Sequence, residues 1–269
     1  MAGISESGTA EGGAAPSAQR AHQSHAAAPG MVVCPIHHNA FASVCASCGI
    51  RHIAICAALN DYEIGDLESI MSHRQLGPNQ LLALEGDKAD YAYNVISGGL
   101  KIYKSLADGR TQIVGFLLPG DFLGLPQRGT YAYSAETLGT TELCQFPRTA
   151  LTLVFAKHEA LQERVLSTVH DELAAAQEHM LLLGRKHATE KLGSLLLGLL
   201  RRVERLGGAV EPLSLPLHRN QIADYLGLTI ETVSRSFTQL RNDGVIRLVK
   251  SDLVSIADRD RLEEIADAG

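Results

Sequence analysis

The chain has 269 residues, is 45% hydrophobic and carries a net charge of −6, enough material for two compact domains with real cores. It is not a general polycation, so affinity for nucleic acid has to come from local clusters. Residues 218–250 hold five Arg or Lys against three acids, and residues 185–205 hold six against two, a bias that suits phosphate contacts. No run approaches the roughly 20 apolar residues of a membrane span, and the N-terminus lacks the basic region and apolar core of a signal peptide. The five cysteines are therefore expected to serve thiol or metal chemistry in a reducing cytoplasm.

Residues 1–30, rich in Ala, Gly, Ser and His, read as a disordered tail, and His22, His25, His37 and His38 as solvated. Residues 31–58 form a cysteine-rich segment with four of the five cysteines. Cys45 and Cys48 make a C-x-x-C pair, and Cys56 follows. Closely spaced thiols can wrap one face of a zinc or iron–sulfur centre, with the last ligand supplied from far along the chain. The bland alternative is a set of small buried residues, since cysteine packs like a modest hydrophobe.

Residues 59–154 open with Asn60 and Glu63, a capping signal for a helix through Ile64, Leu67 and Ile70. Short apolar runs then alternate with glycine turns: Leu81–Leu84, Tyr93–Ile96, Leu100–Tyr103, Ile113–Leu118 and Glu142–Phe146. That rhythm predicts an antiparallel β-barrel or roll, with Cys144 inside the last of these strands. Residues 155–187 read as one long helix, from about Ala156 to His187. Leu166, Val169, Leu173, Ala176, Met180 and Leu183 are spaced 3-4-3-4-3, the seam of a parallel two-stranded contact. Packing on the chain's own barrel is the alternative.

The last region, 188–269, begins with a helix from Thr189 to about Leu206. Two short helices around a tight turn follow between Arg219 and Gly244. Ile222, Ala223 and Leu226 share one face of the first, and Gly227 can take the left-handed conformation that ends it. Thr229 caps the second, whose Ile230, Val233, Phe237 and Leu240 make a buried stripe. Its other face carries Glu231, Ser234, Arg235, Thr238 and Arg241. A recognition helix enters the major groove in that orientation, where Arg can bind guanine and Glu can accept from cytosine. Val245–Val249 and Leu253–Ile256, around Lys250-Ser251-Asp252, complete a winged helix-turn-helix, and the fold expected for the whole chain is α+β.

Three motifs carry a family likeness. Phe116-Leu-Leu-Pro-Gly-Asp-Phe-Leu-Gly124 resembles a β-roll signature. Met180-Leu-Leu-Leu-Gly-Arg-Lys-His-Ala-Thr-Glu-Lys-Leu192 resembles the end of a dimerisation helix, and Tyr225-Leu-Gly-Leu-Thr-Ile-Glu-Thr-Val-Ser-Arg235 resembles a recognition motif. Together they resemble the Crp/Fnr family of bacterial transcription regulators from about Cys45 to Ile256. The resemblance implies a cyclic-nucleotide-binding-like β-roll, a long dimerisation helix and a DNA-binding winged domain. Cys45, Cys48, Cys56 and Cys144 match the ligands of the [4Fe–4S] cluster in the family's Fnr branch. The gap before Cys56 is similar to the FnrN/FnrL/AadR-type members of α-proteobacteria. Cys34 aligns with an additional, non-ligating cysteine. In the cyclic-nucleotide branch a Glu and an Arg-Ser pair hold the ribose and phosphate; Leu125 and Tyr133-Ser134 stand near those positions here, which disfavours nucleotide binding.

The resemblance implies a non-enzymatic, oxygen-responsive activator that binds TTGAT-like inverted repeats as a homodimer and recruits RNA polymerase. Glu231, Ser234 and Arg235 match the branch's DNA-reading positions. Gln177 stands where the branch often carries an acid that opposes aerobic dimerisation, implying looser oxygen control. The alternative within the family is a regulator sensing haem-bound gas or another small molecule without a cluster. A redox carrier has only the C-x-x-C in its favour.

Overall fold

The computed structural model describes residues 43–124, 129–208 and 211–267. The expected tail 1–30, His37, His38, Cys34 and Leu125 lie outside the described residues. Tight turns around Cys45–Cys48 and a 3-10 turn at Ile55–Ala58 lead to α1 (Ile64–Ile70). The capping signal works reciprocally. Asn60 Oδ1 accepts from the N–H groups of Tyr62 (2.9 Å) and Glu63 (3.0 Å), while the Glu63 carboxylate accepts from the Asn60 N–H at 3.1 Å.

Eight strands follow: β1 (Ser72–Leu76), β2 (Leu81–Ala83), β3 (Tyr91–Ser97), β4 (Leu100–Ser105), β5 (Thr111–Leu117), β6 (Phe122–Leu123), β7 (Ser134–Thr137) and β8 (Thr141–Pro147). They pair antiparallel in two sheets ordered β1-β8-β3-β6 and β2-β7-β4-β5. Alternate residues of a strand face opposite ways, and β3 buries both faces. Tyr93 and Val95 enter the roll interior with Leu100, Leu117 and Leu143. Ala92 and Ile96 instead join an outer apolar cluster with the cysteine segment, α1 and the helices that follow the roll.

The long helix expected from Ala156 to His187 is α3 (Glu159–Arg185), and a separate helix that the sequence did not announce, α2 (Arg148–Lys157), precedes it. His158 breaks them with an extended backbone, φ −126° and ψ 97°. The break sits at a contact with a residue far back in the chain. The buried His158 ring meets Asp66 at 2.7 Å, and Lys157 reaches the same carboxylate at 2.6 Å. Lys157 and then His158 hold the Asp66 carboxyl below its usual range.

Beyond α3 come α4 (Ala188–Arg205), β9 (Leu213–Ser214), α5 (Arg219–Leu226), α6 (Ile230–Asn242), β10 (Ile246–Lys250), β11 (Leu253–Ile256) and α7 (Arg259–Asp267). The wing is a three-stranded sheet ordered β10-β11-β9. Leu262 and Ala266 of α7, a helix with no counterpart in the sequence reading, close the core beside Leu192 and Leu196 of α4. That core extends across the domain boundary to Phe116 and Leu118 of the β-roll.

Candidate functional site

Gly227 ends α5 in the left-handed conformation, φ 62° and ψ 43°. Two residues later the Thr229 hydroxyl caps α6 by accepting from the Thr232 N–H at 3.2 Å. Glu231 follows in the first turn, its carboxyl lowered by its own backbone N–H and then by Thr229. Val233, Phe237 and Leu240 are buried as the stripe predicts, but Ile230 is 48% exposed. Ser236 fills the inner face instead, at 4% exposure. Glu231, Ser234, Arg235, Thr238 and Arg241 all lie on the exposed side. The Ser234 hydroxyl donates to Ile230 O at 2.9 Å and the Thr238 hydroxyl to Ser234 O at 3.0 Å. The Arg235 guanidinium donates to Thr232 Oγ1 at 3.2 Å and to no other side chain among the described residues. That face can donate through Arg235 and accept through Glu231, the chemistry of base edges.

Along α3 two stripes run side by side. Leu161, Val165, His179 and Leu182 are buried against the chain itself. Leu166, Val169, Leu173, Met180 and Leu183 are 37–64% exposed, and Ala176 between them is exposed too. An apolar row left in water beside a separate buried row is the form of a helix with a second partner.

The cysteine segment lies on the outer face of the roll. Glu68 of α1 holds its start, accepting from the Val44 N–H at 2.8 Å and from the Ser43 hydroxyl. Arg51 ties its middle to Asp61 at 2.7 Å and to Leu59 O at 2.9 Å. The C-x-x-C is a turn, with the Cys48 N–H on Cys45 O at 3.3 Å. Cys45, Cys48, Cys56 and Cys144 all belong to the outer apolar cluster with Val165 of α3. Burial, then the Glu68 charge, then Cys56 and Cys48 push the Cys45 thiol up to about 12. Burial likewise raises Cys56, against the pull of Arg51 and Arg164. Among the described residues no three His, Cys, Asp or Glu side chains converge as a single-ion site does. The thiols share one apolar face without meeting at one point.

Two polar groups at this face escaped the sequence reading. Asn94 pairs across the sheet with Cys144, so the two side chains share a side. Its Oδ1 is buried without a hydrogen-bond partner. Arg164 of α3 donates from Nη2 to Ile53 O at 2.7 Å, and its Nε is buried without a partner. Asn94 left a signal, a polar residue inside the apolar run Tyr93–Ile96. Arg164 left none, because a charge on a long helix ordinarily faces water.

A third group joins the domains. His179 of α3 places Nδ1 3.3 Å from Val114 O on β5 and Nε2 2.9 Å from Tyr225 O on α5, with its ring stacked on Tyr225 at 4.2 Å. Near the roll's turn, Ser134 Oγ accepts from the Glu85 N–H at 3.1 Å, and Tyr133 packs against the roll interior. Those two side chains are engaged by the fold itself.

A β-roll, an exposed helical seam and a capped helix-turn-helix with a free polar face define a two-domain DNA-binding regulator. Residues 73–158 match the cyclic nucleotide-binding domain family and residues 190–265 the Crp-like helix-turn-helix domain. The chain is 40% identical over 224 residues to the nitrogen fixation regulation protein FixK of Bradyrhizobium diazoefficiens, covering 83% of this chain and 94% of that one. It is 42% identical over 226 residues to the transcriptional activator protein FnrL of Cereibacter sphaeroides, covering 82% and 91%. The solved structure of FixK2 from Bradyrhizobium japonicum aligns with a TM-score of 0.69 at 33% identity, over 74% of this chain and 99% of that one. The chain belongs to the Crp/Fnr family of transcriptional regulators.

Proposed function

We propose that this regulator is oxygen-responsive, holds a [4Fe–4S] cluster on Cys45, Cys48, Cys56 and Cys144, and binds DNA as a homodimer joined along α3. One observation carries the reading. Thiols from two distant stretches gather on one apolar face beside α3, bordered by the orphaned Asn94 Oδ1 and Arg164 Nε. Buried polar atoms without partners call for a further group to satisfy them. Buried thiols held protonated ionise only against strong positive charge, and thiolates are the ligands of zinc and iron–sulfur centres. Spread around a face, they suit a group several ångströms across better than a lone zinc, whose four ligands meet at one point.

When bound, the cluster supplies an oxygen-labile tie between the cysteine segment and β8. The chain's own residues carry the rest. Glu68 holds the segment on α1, Arg51 ties it to Asp61 just ahead of that helix, and Arg164 lays it on α3. An ordered segment braces the N-terminal half of α3, whose Leu166, Val169, Leu173, Ala176, Met180 and Leu183 bury against a second copy. Paired α6 helices then reach two half-sites one helical turn apart in a TTGAT-like inverted repeat. Arg235 contacts guanine, with Glu231 and Ser234 reading the neighbouring positions and Thr238 and Arg241 further along the groove. The bound dimer recruits RNA polymerase in the cytoplasm.

Iron and acid-labile sulfide analysis of anaerobically purified protein, with a visible spectrum before and after air, tests the cofactor. About four irons and four sulfides per chain, with absorption bleached by air, are expected. Zinc, or no metal, would remove the cluster and leave a Crp/Fnr regulator with another signal.

A further inference from the structure

Arg164 stands where the cysteine segment touches the dimerisation helix, two residues before the seam residue Leu166. Its Nη2 donates to the Ile53 carbonyl at 2.7 Å. Ile53 is wedged from the other side as well. It lies so close to Gly120 that a Cβ there would come within 2.4 Å of Ile53 Cδ1, and Gly120 takes φ +93°, which suits glycine. The segment is thus gripped at Ile53 between the β5–β6 turn and α3.

The remaining chemistry of Arg164 is unspent. Its Nε is buried with no hydrogen-bond partner. No ion pair between Arg164 and a carboxylate occurs among the described residues, whereas Arg51, the other cation of this region, is paired with Asp61. A half-buried guanidinium with one donor committed and its Nε–H buried and orphaned is arranged for an anion. Four thiolates around an iron–sulfur core form such an anion.

We propose that Arg164 is the positioning residue that couples the cysteine site to the dimerisation helix. One arm holds the segment through Ile53, and the charge with its unused N–H serves the anion formed when the thiols are loaded. This rests on the cluster reading above. An empty site leaves the guanidinium's charge unanswered, and a loaded site satisfies it. The state of the cysteines therefore reaches α3 directly, at the first turns of the seam.

Arg164→Gln, which keeps a donor and removes the charge, and Arg164→Lys, which keeps the charge, test this in the full-length chain. Three quantities are read. They are the reduction potential of the loaded protein, the ratio of dimer dissociation constants with the site loaded and emptied, and amide exchange across residues 50–56 in the emptied protein. Arg164→Gln is expected to lower the potential, shrink the ratio about fivefold and speed the exchange, with Arg164→Lys recovering the potential. Wild-type potential and ratio in both variants would overturn the coupling role. If wild-type protein takes up no iron, the cluster reading falls and exchange alone decides the anchor. Faster exchange in Arg164→Gln upholds it, and unchanged exchange overturns it.

Discussion

At the scale of single residues, burial holds the Cys45 and Cys56 thiols in their protonated form. The Cys45 thiol stands at about 12 against an ordinary 9.0, chiefly through burial. The folded chain keeps that proton between those values while the unfolded chain loses it. The associated stability is complete below pH 9 and is lost as pH rises through the window. Above pH 9 the emptied protein should lose up to about 1.4 kcal/mol per pH unit more than Cys45→Ala does. Urea unfolding at about pH 8 and about pH 10 measures the difference, and parallel losses would contradict it. The DNA face works on the opposite logic, with charge kept in water. Arg235→Ala should cost about 1–3 kcal/mol of operator binding per half-site, and its exposure predicts little change in melting. Equal affinity for operator and scrambled DNA in wild type and variant would remove Arg235 from base reading.

At the scale of elements, α3 carries two rows with separate duties. Leu161 is fully buried and Leu173 is 56% exposed. Leu161→Ala should cost about 2–5 kcal/mol of stability by opening a cavity. Leu173→Asp should alter the folding of a single chain by no more than about 0.5 kcal/mol while abolishing the dimer in sedimentation. A dimer that survives Leu173→Asp would place the contact elsewhere. The exposed row was readable from sequence because helical period sorts it, whereas the buried row, which includes His179, emerges only from the packing. The five long strand runs and the helix-turn-helix were readable for the same reason: pattern, glycine and cap agree locally. The break at His158 was not, since it depends on Asp66, far back in the chain. Strand β1, Ser-His-Arg-Gln-Leu, has no apolar alternation and exists through its pairing with β8. The thiol spacing named the ligand candidates, but their gathering on the face shared with α3 is tertiary. Asn94 and Arg164 entered only with it.

At the scale of the whole molecule, the winged domain is seated on the roll through β5. His179 meets a carbonyl from each domain, and Tyr225 packs edge-on against Phe116 at 5.0 Å. His179→Ala removes the ring that meets both carbonyls and stacks on Tyr225 and should loosen that seat by about 1–3 kcal/mol. Faster amide exchange in α5, with β3 and β8 unchanged, would report it, and unaltered α5 exchange would place the seat elsewhere. Because roll, α3 and winged domain meet around this one residue, a change at the cysteine face can reach α6 through packed elements alone. The most direct test is the affinity of the anaerobically loaded chain for an inverted-repeat operator, measured again on the same sample after air has bleached it. Affinity is expected to fall at least about tenfold, within the usual range of coupling between sites. Equal affinity before and after bleaching would contradict control of DNA binding by the cysteine site.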